Sequence, residues 1–137
     1  MSRSKPARSN RRGCRDQRGS ASIELVILLP VLFAVLFLGM QAALYYHART
    51  VAIAAAQEGA RATGAEAGTE SRGEDAANAF IVDAGGDDVL QAATATAKRS
   101  ATTATVVVEA RSLSVIPGWQ PVVRQSATVP VERLTTP

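Results

Sequence analysis

The sequence predicts an α+β protein: a long N-terminal transmembrane helix that extends outside the membrane, then a short helix and a small three-stranded antiparallel sheet. Three observations predict this fold. Residues 25–40 are apolar and contain no charged side chain. Residues 74–84 place apolar side chains at helical spacing. After residue 89 the sequence alternates with a period of two and is rich in Val and Thr.

Residues 1–19 are predicted to form a basic cytoplasmic leader. They carry seven Lys or Arg side chains and one acidic residue, so their formal charge is +6, whereas the whole chain is only +3. They contain few apolar side chains, which predicts a segment without a packed core. Because the positive charge is concentrated there, the folded part has no basic surface that would indicate a nucleic-acid partner.

The stretch from Leu25 to Tyr46 is long enough to cross a lipid bilayer. Its twenty-two residues would span about 33 Å as a helix, compared with about 30 Å for the hydrocarbon core. Tyr45 and Tyr46 end this stretch, where aromatic rings favour the membrane interface. The positive-inside rule then predicts a single-pass protein of the cell membrane, with a cytoplasmic N-terminus and an extracytoplasmic C-terminal part.

The helix is predicted to continue beyond the membrane, so that it covers residues 20–63. Residues 48–63 are mostly strong helix formers, and Gly64 offers a stop. Glu58 and Arg61 are spaced to pair on one face. A row of small residues follows this part of the helix. The row allows a second backbone to approach closely or simply reflects alanine content, and both interpretations stay open; its members are Ala52, Ala55, Ala56, Gly59 and Ala60.

Residues 64–137 are predicted to form a small extracytoplasmic α+β head. Residues 64–73 resemble a flexible linker, and Gly85-Gly86 would end the short helix that follows. Three strands are predicted at residues 89–98, 104–112 and 122–133, with turns at 100–102 and at Pro117-Gly118. Pro130 indicates an edge strand. Trp119 is predicted to cover the small core, with an exposed contact for another subunit as the alternative.

The sequence offers no catalytic set. A single cysteine, Cys14, excludes an intrachain disulfide and a multi-cysteine metal site. A single histidine, His47, excludes most zinc sites. Ser112 and Ser114 have no base partner in the sequence. We therefore predict a protein that is not an enzyme and that has no catalytic residue, cofactor or metal.

Glu24 directly precedes the apolar run. A carboxylate at that depth costs up to about 3 kcal/mol if it stays unpaired. Either the carboxylate is solvated in the headgroup layer, or it has a partner there.

The junction from Arg18 to Glu24 resembles the class III signal of type IV prepilins. A basic leader, a glycine, four small or apolar residues and a glutamate precede the transmembrane run. The stretch from Ala54 to Arg61 is in addition similar to the Ala-Ala-x-x-Gly-Ala-Arg segment of TadE-like proteins. The resemblance therefore identifies a TadE-like pseudopilin of tight-adherence (Flp, type IVb) pilus systems over residues 18–63.

The resemblance implies that a prepilin peptidase cuts between Gly19 and Ser20, and that Glu24 becomes the fifth mature residue. Glu24 would then pair with the new Ser20 ammonium of a neighbouring subunit and set the register of the helices. The implied partners are other pilins or pseudopilins, bound through the N-terminal helix, the prepilin peptidase and the lipid bilayer. The extracellular pilus is a further location.

Two departures favour a minor pseudopilin over the main shaft subunit. Major Flp pilins usually have an aromatic residue after the glutamate, where this chain has Leu25. They are also little more than one helix. An alternative is export by the general pathway, as a secreted or signal-anchored binding domain unrelated to pili. Residues 1–56 would then be a signal peptide ending in Ala54-x-Ala56, although the apolar run exceeds the usual 7–15 residues.

Overall fold

A computed structural model describes residues 18–133 of the chain, with side chains described from Ser22 onward. The rest of the predicted leader, residues 1–17, lies outside the described residues. The elements in chain order confirm the α+β fold: α1 (Arg18–Gly64), α2 (Glu70–Asp83), a 3-10 helix (Gly86–Asp88), β1 (Leu90–Arg99), β2 (Thr103–Ser112) and β3 (Val122–Pro130). The chain forms two compact units that divide after Ala34, and the unit that contains the sheet begins at Val35.

The three strands form an antiparallel sheet in the order β1-β2-β3. Alternate residues of the central strand β2 are buried, from Ala104 to Ser112, which confirms the predicted period of two. The opposite face is polar, with an ion pair of 2.7 Å between Arg124 and Glu109. Pro130 lies in an edge strand, as predicted, because β3 pairs with β2 alone.

β3 ends at Pro130, three residues before the predicted end. Val131 still donates to the carbonyl of Thr102, the residue that faces it when the register with β2 continues, whereas Glu132 donates to the carbonyl of Gly64, both at 2.9 Å. From Glu132 onward the chain therefore connects to the end of α1.

One core joins the outer part of α1 to the sheet. Small side chains of α1 pack there with larger ones from the strands, including Leu90 and Val106. A Cβ atom on Gly59 would lie 2.7 Å from the carbonyl oxygen of Gly73 and 3.1 Å from Cγ1 of Val106. The row of small residues thus lets α1 approach this chain's own α2 and sheet; its buried alanines are Ala52, Ala55, Ala56 and Ala60.

The predicted linker over residues 64–73 is wrong in its last four residues, because α2 begins at Glu70. Thr69 is the N-cap, and its hydroxyl accepts a hydrogen bond of 3.2 Å from the Arg72 backbone. Gly73, which suggested a linker, lies inside the helix, where a Cβ atom would overlap the Thr63 hydroxyl. Close helix packing, not flexibility, therefore explains this glycine.

The first turns of α2 protect the free edge of β1. The Glu70 carboxylate accepts from the Arg99 backbone at 2.8 Å, and the Glu74 carboxylate accepts from the Ala97 backbone at 3.0 Å. These bonds satisfy N–H groups that an edge strand would otherwise expose. The Arg99 guanidinium also donates to the carbonyl oxygens of Thr63 and Ala65 at the end of α1. Such contacts stabilise a helix C-terminus.

Candidate functional site

The first part of α1, from Ile23 to Met40 and here called its inner part, presents an exposed apolar surface. Its large apolar side chains are 47–71% exposed. The helix is long and apolar enough to cross a membrane, and its most apolar window is entirely unburied. The core helix of a soluble protein would be covered instead. This surface is therefore compatible with a membrane anchor.

Glu24 is exposed on this helix. Among residues 22–133, whose side chains the structure describes, no ion pair includes its carboxylate. It can therefore accept charge-assisted hydrogen bonds from another chain. The peptide bond between Gly19 and Ser20 lies one helical turn earlier in α1. The side chains of these two residues lie outside the described ones, so the predicted processing role remains a prediction, as does the assembly role of Glu24.

The structural role of Gln41 was not predicted from the sequence. It is 3% exposed although it follows the apolar run directly. Its Nε2 donates to the carbonyl of Leu113 at 3.3 Å, and its Oε1 accepts from the Ser114 hydroxyl and the Val115 backbone, both at 2.9 Å. These bonds fasten the loop between β2 and β3 to α1. A lone amide in an apolar helix was the available signal, because a buried polar group needs a partner.

The predicted core position of Trp119 is wrong, because its side chain is 50% exposed. The indole lines a groove with side chains of α1 rather than the core, which alanine and valine side chains already fill. The turn before it is as predicted at Pro117-Gly118. The backbone N–H of Trp119 donates to the carbonyl of Ile116 at 3.2 Å, and Gly118 adopts a φ of +78°.

The polar residues near this loop have structural partners. The Ser112 hydroxyl donates to the carbonyl of Leu113 at 3.2 Å, and Ser114 donates to Gln41. His47 is exposed on α1. Within residues 18–133, no group of three or more His, Cys, Asp or Glu side chains could hold a metal ion.

Residues 19–61 match the family model described as TadE-like protein. No curated protein and no solved structure matches the chain. The matched residues all lie within α1, and the match confirms the resemblance drawn from the sequence. Members of this pilus-associated family are generally not enzymes.

Proposed function

We propose that the protein is a membrane-anchored minor pseudopilin that takes part in the assembly of a Tad/Flp-type pilus. A prepilin peptidase would hydrolyse the Gly19–Ser20 bond on the cytoplasmic side and release the basic leader. The head would lie outside the membrane, and the mature subunit would reside in the bilayer or in the pilus. The family match carries this proposal, because the residues that match the TadE-like model, 19–61, include the proposed junction and Glu24.

Glu24 would act after the cut. Hydrolysis leaves an ammonium group on Ser20, and the Glu24 carboxylate of an adjacent subunit would accept hydrogen bonds from it. In a medium of low dielectric constant, two opposite charges are favoured together over the same charges apart. The exposed apolar side chains from Ile23 to Met40 would then pack against lipid first and against other pilin helices later.

The composition of the core argues against the secretory alternative. A signal peptidase that cut after Ala56 would remove side chains that the head buries completely, among them Ala52 and Ala55. It would also remove Gln41 and leave the backbone N–H of Val115 without its partner. The remaining sheet would expose Val106 and Val108 to water, at a cost of about 25 cal/mol per Å² of apolar surface.

Sequencing of the mature N-terminus in the native host tests the proposal. We expect the protein to begin at Ser20. A start at Gln57 would instead indicate secretion, and an intact Met1 would indicate a simple signal anchor; either result contradicts the proposal.

Two variants refine this experiment. Gly19→Leu should block the cut and leave a heavier protein with its leader attached. Gly39→Leu is the matched control, because it places the same side chain on the same helix where a Cβ meets no atom within 4 Å. It should be processed normally. Unchanged mobility of the Gly19→Leu protein would mean that the bond after Gly19 is not the processing site.

A further inference from the structure

A groove between α1 and the β2–β3 loop gathers the aromatic side chains that carry a polar atom. The chain has one tryptophan and two tyrosines. Trp119, Tyr45 and Tyr46 all line this groove, together with Leu38 and Pro121. Its volume is about 360 Å³ and its walls are almost entirely apolar. Tryptophan and tyrosine prefer the level at which the hydrocarbon core of a bilayer meets the headgroups.

The groove lies along the end of the apolar run of α1. Leu38 belongs to that run and is 61% exposed, whereas Tyr46 ends the stretch predicted to cross the membrane. The helix rises about 12 Å between these two residues. That length covers the edge of the hydrocarbon core and one headgroup layer, which is about 5–8 Å thick. The groove is thus continuous with the surface that is compatible with a membrane anchor.

Gln41 fixes the position of the β2–β3 loop along the axis of α1. Its three hydrogen bonds hold residues 113–115 next to the helical turn that follows Met40. The loop therefore carries Trp119 to the level at which the apolar run ends. Trp119 remains 50% exposed there. Exposure of this side chain to water is unfavourable, and an acyl chain that filled the groove would remove this cost.

We propose that this groove, lined by Leu38, Tyr45, Tyr46, Trp119 and Pro121, is a second lipid contact that seats the head on the bilayer surface. Its ligand is the acyl and glycerol region of a phospholipid in the leaflet that faces the head. The contact rests on the membrane anchoring in the proposed function, and it needs neither the cut at Gly19 nor the pairing of Glu24. Gln41 also lines the groove, and it is the positioning residue because its hydrogen bonds hold the loop against α1.

Fluorescence tests this proposal directly, since Trp119 is the single tryptophan of the chain. The full-length protein is reconstituted into vesicles of phosphatidylcholine and phosphatidylglycerol, and vesicle flotation verifies insertion. Bromine is then placed on the acyl chains either near the glycerol or near the terminal methyl. We expect a blue-shifted emission that shallow bromines quench more strongly than deep ones and that aqueous iodide quenches weakly.

Two variants make the measurement specific to the loop. Gln41→Ala should release the loop, reduce quenching by shallow bromines and increase quenching by iodide. Gln57→Ala is the matched control, because Gln57 is exposed on the same helix, and it should leave both signals unchanged. An equal response of the two variants would contradict the positioning role of Gln41.

Three outcomes would overturn the lipid contact. In protein that floats with vesicles, iodide could quench Trp119 fluorescence as strongly as that of a free indole while brominated lipid does not quench it. That result would contradict the lipid contact but not the membrane anchor. A blue shift that grows with the protein-to-lipid ratio without any bromine quenching would assign the groove to a second copy of the chain. Failure of the protein to float with vesicles would refute the anchor, and with it this contact.

Discussion

The two parts of α1 share a secondary structure and differ in side-chain size. From Ile23 to Met40 the helix carries large apolar side chains that are exposed. From Gln41 to Thr63 its buried positions are mostly alanine and glycine, packed against α2 and the sheet. Bulky side chains suit a helix whose partners are lipid or other helices, whereas small ones allow close approach to a folded core. Side-chain size therefore indicates which part of the helix the head occupies.

Glu24→Gln should produce the largest effect, because it should abolish the function of the inner part of α1 and leave the outer part and the head intact. Pilus assembly should be lost, because an unpaired ammonium in the bilayer costs about 3–5 kcal/mol, while membrane insertion and the stability of the head remain unchanged. Counting pili by electron microscopy measures assembly. Glu66→Gln is the control, since Glu66 is exposed beyond the end of α1. Normal pili on Glu24→Gln cells would contradict the register role.

Leu90→Ala should lower the free energy of unfolding of the head by about 2–5 kcal/mol, because it leaves a cavity in the core. Leu90 is fully buried, whereas Leu32 is 68% exposed on the inner part of α1. Leu32→Ala, the same substitution, should change head stability by less than about 0.5 kcal/mol. Pulse proteolysis of the detergent-solubilised protein over a urea series measures both. Similar losses in the two variants would mean that the inner helix also supports the head.

Gly59→Ala and Gly39→Ala place one methyl group on each part of the same helix. At Gly59 the methyl group meets the Gly73 carbonyl and the side chain of Ala77, so overpacking should destabilise the head by about 1–3 kcal/mol. At Gly39 it meets no atom within 4 Å, and the better helix propensity of alanine makes the change neutral or favourable by up to about 1 kcal/mol. The same proteolysis assay compares them. A stabilised Gly59→Ala protein would contradict the close approach of α1 and α2.

Much of the fold followed from the sequence because its patterns are local. Alternation of Val and Thr with polar residues placed the starts of β1, β2 and β3 within one residue of where they lie. The uncharged run of residues 25–40 and the stop at Gly64 defined α1. The Gly85-Gly86 pair ended α2, since both glycines adopt positive φ values, which side chains disfavour.

The remaining features depend on contacts between distant parts of the chain. Gly73 suggested a linker, and only its packing against Thr63 explains why a helix needs a glycine there. The sequence allowed Trp119 to cover the core or to be exposed, and the hydrogen bonds of Gln41, which hold its loop beside the helix, explain its exposure. The alanine row allowed two interpretations until the sheet was seen against it. The processing and assembly roles of Gly19, Ser20 and Glu24 are still predictions, because they depend on interactions with other proteins.

The shared core of α1 and the sheet has a consequence for how such subunits diversify. Recombination that exchanged heads between related subunits at Gly64 would join one protein's helix to a foreign sheet, and Gly59 would then face side chains unmatched to it. A viable crossover has to fall upstream of Gln41, so that the loop between β2 and β3 stays in the same protein as the glutamine that binds it. The part of α1 from Gln41 onward and the head are therefore expected to be inherited together, as one evolutionary module.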